Sequence, residues 1–227
     1  MNSLKKTGFQ PKIVVLISGN GSNLQALIDA TKNGRLSANI TAVISNNAAA
    51  GGLVRAENSN VLTNIIDHRK YNNREDFDIA LAEKVTSYSP DLIVLAGFMR
   101  ILGSRFVDHF VGKIINIHPS LLPKYPGLNT HQRALDAGEN ETGATVHFVT
   151  SNLDGGPIIV QAPVSINPNE TANMVAKRVL EAEHLIFPMA AQWFCQKRLI
   201  MRNGRAWLDN NVLPPTGKVY KRHKTEK

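Results

Sequence analysis

The sequence predicts an α/β fold: a single-domain open sheet whose N-terminal half is parallel and Rossmann-like, with an antiparallel C-terminal addition to the same sheet. Five apolar runs alternate with amphipathic segments in the first half of the chain. After residue 140 two strand-like stretches follow each other with only a Gly-rich turn between them. No repeat or low-complexity linker divides the chain, so we expect one domain over residues 1–227.

The five apolar runs have the length and composition of strands that are buried on both faces, as in parallel sheets. They are KIVVLIS at 12–18, ITAVIS at 40–45, VLTNII at 61–66, DLIVLAG at 91–97 and KIINIH at 113–118. Between them, residues 22–32 and 74–88 place their apolar side chains at helical spacing. Ligands of such sheets bind at the carboxyl ends of the strands.

The second half of the chain predicts a different arrangement. TGATVHFV and PIIVQAPVSI are separated by too few residues for a helical crossover, so we expect these strands to pair antiparallel. A long helix over about 170–195 follows, and Asn203-Gly204 marks the turn of a later hairpin.

The charge of the chain is concentrated at its ends. The net charge is +8, yet residues 218–227 hold five Lys or Arg against one Glu, and two lysines lie near the N-terminus. No aromatic residues interleave with a basic stripe, so solvated ends explain the charge better than a nucleic-acid surface. We expect an ordered core over about 12–215 and flexible tails at 1–11 and 216–227.

Several classes of protein are excluded by composition. No apolar run approaches the roughly 20 residues of a membrane span, and the first ten residues lack the apolar stretch of a secretory signal. Cys195 is the only cysteine, which excludes an intramolecular disulfide and a cysteine-based zinc cluster. The histidines show no metal-ligand spacing, so we expect no metal. Since the sequence contains neither a membrane span nor a secretory signal, we expect a cytoplasmic protein.

The first strand leads into SGNGSN at 18–23, directly before a helix. Gly19 and Gly21 allow backbone N–H groups to turn inward at a helix N-terminus, which favours a phosphate. The stretch is neither a Walker loop nor a dinucleotide fingerprint. A small phosphoester and an ordinary tight turn are both consistent with two glycines.

The stretch INIHPSLLPKYPG at 115–127 places Asn116 and His118 at the end of a central strand. The period of two in a strand puts both side chains on the same side, where an amide and an imidazolium would form an oxyanion site. An isolated histidine at a strand end is more often a cap for local backbone. The three prolines that follow favour the functional interpretation, because they stiffen the loop.

The stretch LDGGP at 153–157 contains Asp154 beside two glycines. Such a carboxylate would orient the imidazole of His118, although Asp-Gly between strands is also a routine hairpin signal. Residues 91–102, DLIVLAGFMRIL, by themselves predict a buried strand and loop packing. Neither a nucleophile elbow nor a reactive-cysteine context is present, so we expect no covalent catalysis.

Together, SGNGSNLQALI, LAGFMRIL, INIHPSLLPKYPG and VHFV with a downstream LDGGP resemble the phosphoribosylglycinamide formyltransferase family over about residues 12–215. The resemblance implies the formyltransferase fold and formyl transfer from 10-formyltetrahydrofolate to glycinamide ribonucleotide in purine (IMP) biosynthesis. It implies 10-formyltetrahydrofolate as the cosubstrate, with no metal. The expected partners are these two small molecules, without nucleic acid or membrane, in a monomer or weak homodimer.

The resemblance also implies the site residues. Asn116, His118 and Asp154 match the catalytic positions. The ribonucleotide positions are Gly21, Ser22, Asn23 and Glu183, the last of which holds the glycyl amine. The folate positions are Arg74, Met99, Arg100, Ile101, Leu102, Asn116, Thr150, Ser151, Asn152, Leu153 and Asp154. Two positions depart from some bacterial relatives: Asn129 replaces a His and Thr145 replaces a Ser, so any proton relay through a histidine at position 129 is put in doubt.

Three alternatives remain open. A 10-formyltetrahydrofolate deformylase would use the same catalytic residues with water as the nucleophile, but the roughly eleven residues before the first strand leave no room for its N-terminal domain. A methionyl-tRNA formyltransferase would need a C-terminal tRNA domain in place of the short basic tail. A catalytically silent binding module would not require a proton carrier such as His118.

Overall fold

The computed structural model describes residues 10–221. In the first half, strands alternate with helices in the order β1 (Lys12–Ile17), α1 (Ser22–Lys32), β2 (Asn39–Ser45), α2 (Gly51–Glu57), β3 (Leu62–Ile65), α3 (Arg74–Ser87), β4 (Leu92–Leu95), α4 (Ser104–His109) and β5 (Ile114–His118). A 3-10 turn at His68–Lys70 precedes α3. The second half contains α5 (Thr130–Asp136), β6 (Glu141–Phe148), β7 (Ile158–Ser165), α6 (Ala172–Cys195), β8 (Leu199–Arg202), β9 (Arg205–Leu208), β10 (Asn211–Val212) and β11 (Lys218–Val219).

One eight-stranded sheet organises the chain, in the order β11-β7-β6-β5-β4-β1-β2-β3. Strands β1 to β5 are parallel, whereas β6 pairs antiparallel with both β5 and β7. The predicted fold class is therefore confirmed. The predicted hairpin is present as β8 and β9, with positive φ at both Asn203 and Gly204, as a two-residue hairpin turn requires.

Strand β11 adds an edge that the sequence did not predict. Lys218 and Val219 pair parallel with β7, and the Tyr220 N–H donates to the Gln161 carbonyl oxygen at 2.7 Å. We expected these residues in a flexible tail because of their charge, but the pairing uses main-chain groups, which side-chain composition does not reveal. Residues 1–9 and 222–227 of the two predicted tails lie outside the described residues.

Each face of the sheet carries its own apolar core, because alternate residues of a strand point to opposite faces. In β1, Val14 and Leu16 pack with α3 and α4, whereas Ile13, Val15 and Ile17 pack with α1, α2 and α6. The chain leaves β1 in one direction through β2 and β3 and returns to β4 on the other side. This reversal opens a crevice at the carboxyl ends of β1 and β4, where ligands bind in such sheets.

Candidate active site

The loop between β1 and α1 presents a helix N-terminus. Gly21 has φ of 74°, a left-handed conformation that favours glycine. A Cβ atom on Gly21 would lie 2.6 Å from the Cα of Gly52, so the two glycine backbones must touch. No acidic side chain lies in the first turn of the 11-residue helix α1, and its free N–H groups favour an anion. The role of Gly52 was not predicted from the sequence. The glycine pair Gly51-Gly52 after β2 was a signal that two backbones could approach closely there.

Asn23 and Glu183 form a buried pair beside this loop. The Asn23 Nδ2–H donates to Glu183 Oε2 at 2.6 Å, and the glutamate is 7% exposed. Burial raises the pKa of the Glu183 carboxyl to about 7, although the hydrogen bond from Asn23 acts in the opposite direction. Asn23 Oδ1 has no hydrogen-bond partner among residues 10–221. The structure thus brings together two residues that were predicted to bind the ribonucleotide and that are 160 positions apart in the sequence.

Asn116 and His118 lie on the same side of β5, as the period of two predicts. Asn116 is half-buried and His118 is 5% exposed. The His118 Nε2–H donates to the Tyr125 carbonyl oxygen at 2.9 Å, and Nδ1 lies 3.5 Å from Asp154 Oδ2. Both ring nitrogens therefore face hydrogen-bond acceptors, so the ring is held at both ends.

Asp154 reaches this point from the loop between β6 and β7. Its φ of 50° is left-handed, and its Oδ2 accepts the Gly127 N–H at 2.8 Å. A Cβ atom on Gly156 would lie 1.8 Å from the Phe148 carbonyl oxygen, so only glycine fits there. The LDGGP glycines thus let the loop fold back against β6 and deliver the carboxylate to His118.

His147 is a fourth member of this cluster. From the sequence it was only one of the histidines that lack metal-ligand spacing. It lies opposite Asn116 in the β5–β6 register and is 2% exposed. Its Nε2 accepts from Asn116 Nδ2 at 3.1 Å and lies 3.8 Å from Asp154 Oδ1. Alternation along β6 placed it on a defined face, but the sequence did not give the register to β5.

Thr145 fixes the loop that follows His118. Its buried hydroxyl donates to the Ser120 carbonyl oxygen at 2.6 Å and accepts the Leu122 N–H at 3.1 Å. The Gln161 Nε2 bridges Thr145 Oγ1 at 3.0 Å and the Leu122 carbonyl oxygen at 2.7 Å. The hydroxyl that Thr shares with Ser therefore anchors the proline-containing loop to β6 and β7.

Asn129 precedes α5 in a left-handed conformation, with φ of 56°. Its side chain is exposed and makes no capping hydrogen bond to the helix. Asparagine tolerates this conformation better than most residues. The observed role of Asn129 is therefore a backbone role.

The predicted folate segment Met99 to Leu102 follows β4. Met99 and Ile101 are 63% and 56% exposed, so the segment presents apolar surface outside the core. The Met99 N–H donates to Ser18 Oγ at 2.7 Å, and Ser18 Oγ donates to Asn46 Oδ1 at 2.5 Å. One serine thus ties this segment to the start of the glycine loop.

The second predicted folate segment, Thr150 to Asp154, follows β6. Ser151, Asn152 and Leu153 are exposed, and the Gly155 N–H donates to the Asn152 carbonyl oxygen at 3.1 Å. This turn continues directly into Asp154, so its backbone position sets that of the carboxylate.

A groove of about 1040 Å³ runs between α3 and α4. Arg74, Leu102 and Ser151 of the predicted folate set line it, whereas Asn116 and Asp154 do not. Arg74 Nε lies 3.7 Å from Asp78 Oδ2, a carboxylate that also accepts the Gly103 N–H at 2.7 Å. The predicted folate residues are therefore not gathered in one pocket: three of them line this groove, and Asn116 and Asp154 lie in the cluster around His118.

Cysteine chemistry and metal binding are two further possibilities. Burial raises the pKa of the Cys195 thiol to about 12, so this side chain is a poor nucleophile. Within residues 10–221, no group of three or more His, Cys, Asp or Glu is arranged to hold a metal ion. In the same part of the chain, no helix has both the length and the apolar character needed to cross a membrane.

A cluster of amide, imidazole and carboxylate groups without a nucleophilic side chain suits acyl transfer between two bound substrates. Residues 11–191 match the model of the formyl transferase family, and the chain belongs to that family.

Individual relatives indicate which kind of formyl transferase the chain resembles. The chain is 50% identical over 205 residues to phosphoribosylglycinamide formyltransferase of Escherichia coli strain K12, covering 90% of this chain and 97% of that enzyme. It is also 49% identical over 181 residues to the human trifunctional purine biosynthetic protein adenosine-3, covering 80% of this chain but 18% of that protein. The resemblance to phosphoribosylglycinamide formyltransferases predicted from the sequence is confirmed.

The solved structures agree. Phosphoribosylglycinamide formyltransferase from Coxiella burnetii superposes with a TM-score of 0.91 at 51% identity, covering 94% of this chain and all of that chain (100%). A formyltetrahydrofolate deformylase from Pseudomonas syringae has a TM-score of 0.82 at 23% identity, covering 88% of this chain and 66% of that chain. This second similarity is one of fold alone. The formyltransferase fold is therefore confirmed.

Proposed function

We propose that this enzyme transfers the formyl group of 10-formyltetrahydrofolate to the glycyl amine of glycinamide ribonucleotide. The products are formylglycinamide ribonucleotide and tetrahydrofolate, in de novo purine biosynthesis. The observation that carries the proposal is the convergence of Asn116, His118 and Asp154 at the carboxyl end of β5, in a fold that also pairs Asn23 of α1 with Glu183 of α6. The amine attacks directly, with no covalent enzyme intermediate.

The ribonucleotide lies across the start of α1. The helix N-terminus at Gly21, Ser22 and Asn23 holds its phosphate, and Glu183 holds its amine. An entering ammonium group stabilises the charged form of this buried carboxylate. Transfer of a proton from the ammonium to the carboxylate replaces this ion pair by two neutral groups, which burial favours, and leaves the neutral amine that attack requires.

The oxyanion forms on the formyl oxygen when the amine attacks. One Asn116 amide hydrogen is directed at His147, and the other is free to donate to this oxygen. Protonated His118 donates its Nε2–H as well, exchanging the Tyr125 carbonyl oxygen for the substrate oxygen. Each well-placed donor contributes about 3 kcal/mol to such transition states.

Asp154 organises the proton transfer. Its carboxylate orients His118 from 3.5 Å, and the Gly127 N–H holds the carboxylate in turn. The proton of the attacking amine reaches the leaving folate nitrogen through a water that Asp154 binds. The step needs no nucleophile or metal from the protein.

The folate lies between the two loop segments that flank the cluster. The exposed apolar side chains of Met99, Ile101 and Leu153 offer surface to its ring system. Arg74, at the groove beside α3, offers a cation to the carboxylate end of the folate. We further propose that the enzyme acts in the cytoplasm as a monomer or weak homodimer, without a nucleic-acid or membrane partner.

Formyl hydrolysis is the second candidate, because water could replace the amine in the same cluster. The Asn23–Glu183 pair favours transfer, since a buried carboxylate beside an anion-binding helix terminus suits a phosphorylated amine. Following the absorbance of 10-formyltetrahydrofolate with and without glycinamide ribonucleotide separates the two. Turnover only with the ribonucleotide supports transfer, whereas full-speed turnover without it supports hydrolysis.

His118→Ala tests the catalytic assignment. We expect kcat to fall by about 10²–10³-fold while folate binding persists, because the substitution removes an oxyanion donor and the imidazole that Asp154 orients. Kinetics with purified substrates and a folate titration measure both quantities. Near-normal turnover in a folded variant would contradict the assignment.

A further inference from the structure

We infer that His147 is a positioning residue that holds the Asn116 amide in one of its two orientations, with an N–H group aimed at the reacting formyl oxygen. The inference rests on the proposed function, because it assigns a direction to the hydrogen bond that stabilises the oxyanion.

The tautomer of His147 follows from its partners. Its Nδ1 lies 2.8 Å from the Phe148 carbonyl oxygen, which can only accept, so Nδ1 carries a hydrogen. In the neutral ring, Nε2 then offers a lone pair, and it lies 3.1 Å from the amide group of Asn116. Only the NH2 end of the amide can donate to that lone pair. The histidine therefore dictates which end of the Asn116 amide faces it.

The surroundings keep the His147 ring neutral. The charged groups near it are Asp154, whose Oδ1 lies 3.8 Å from Nε2, and His118. Burial lowers the pKa of His147, the hydrogen bond to Phe148 and the charge of Asp154 oppose that effect, and the charge of His118 adds to it. The net direction is downward, so the lone pair is present at neutral pH.

This constraint matters because an amide is planar and its two ends are nearly isosteric. With one N–H bound to His147, the second N–H is the donor that remains for the formyl oxygen. Rotation of the amide by half a turn would present Oδ1 instead, an acceptor that repels an oxyanion. His147 and Asn116 are paired residues of adjacent strands, so main-chain hydrogen bonds keep the two side chains in register.

The kinetic test compares His147→Phe, which retains a planar ring without an acceptor, with His147→Gln, which retains an acceptor oxygen. We expect His147→Phe to lower kcat by roughly 10- to 100-fold, with the ribonucleotide KM changed by less than about 2-fold. His147→Gln should recover part of that loss. In an Asn116→Ala background His147→Phe should change kcat by less than about 2-fold, because there is no amide left to orient.

Equal losses of kcat in the two backgrounds would overturn the inference, since a general structural defect does not depend on Asn116. An unchanged kcat in folded His147→Phe would overturn it as well. Nitrogen-15 NMR of the wild-type enzyme provides a readout independent of turnover. A protonated Nδ1 and an unprotonated Nε2 in His147 at neutral pH support the inference, and the reverse tautomer refutes it. Because this measurement needs no substrate, it remains decisive if glycinamide ribonucleotide proves not to be the acceptor.

Discussion

Replacing Glu183 by Gln should stabilise the unliganded protein at high pH while weakening its use of the ribonucleotide. The carboxyl has a pKa of about 7 instead of 4.5, chiefly because of burial. One pKa unit corresponds to about 1.4 kcal/mol, so charging Glu183 in the folded protein costs roughly 3 kcal/mol more than charging it in the unfolded chain. Gln keeps the shape, and its side-chain oxygen can accept the Asn23 Nδ2–H as Glu183 Oε2 does.

The pH dependence has a defined sign. Because the folded pKa is raised, the stability associated with protonated Glu183 is fully present below about pH 4.5. It is lost as pH rises to about 7, where the folded protein also becomes charged at this position. The stability gain of Glu183→Gln over wild type should therefore grow through this window and reach roughly 3 kcal/mol at pH 8.

Urea unfolding of both proteins at pH 5 and pH 8 measures the effect, and Glu57→Gln, the same change at an exposed position of α2, is the matched control. Steady-state kinetics should show a raised KM for glycinamide ribonucleotide with folate binding retained. A stability gain that is equal at the two pH values would refute the burial argument. An unchanged ribonucleotide KM would refute the role in amine binding.

Two other substitutions test the loops that frame the site. Gly21→Ala should destabilise the protein by roughly 1–3 kcal/mol and weaken ribonucleotide binding, because the new Cβ would lie 2.6 Å from the Gly52 Cα and φ at this position is positive. Urea unfolding and ribonucleotide titration measure the two effects, and wild-type values in both would contradict the prediction. Thr145→Val should cost about 2 kcal/mol, because the Ser120 carbonyl and Leu122 N–H lose a buried partner. Thr145→Ser keeps the hydroxyl and should cost much less; equal losses in the two variants would count against the hydroxyl.

Much of the fold followed from local sequence. The run KIVVLIS is apolar on both faces, and β1 is buried on both, with the neighbouring residues Val14 and Val15 in different cores. The short spacing between β6 and β7 required antiparallel pairing, which the structure contains. The edge strand β11 did not follow, because Lys218 and Val219 are exposed and only their backbone groups pair with β7.

The arrangement of the site residues was predictable where polar side chains lie close together in one sequence motif. Asn116 and His118 are two residues apart on a strand, so their common side could be deduced. Asp154 was identifiable as a candidate partner, but its distance from His118 depends on how the loop after β6 folds back. His147 carried no signal, since a histidine within an apolar strand has the same appearance whether it packs in the core or orients a neighbouring amide.

The sequence by itself determined the alternation of strands and helices, the glycine loop before α1 and the residue types of the cluster formed by Asn116, His118 and Asp154. These features depend on neighbours a few positions apart, through the periods of strand and helix and the conformational freedom of glycine. Tertiary structure alone decided which distant groups meet. The β5–β6 register set His147 against Asn116, and the packing of α6 beside α1 buried Glu183 next to Asn23. Burial raised the pKa of that carboxyl because desolvation depends on everything that surrounds a group in space.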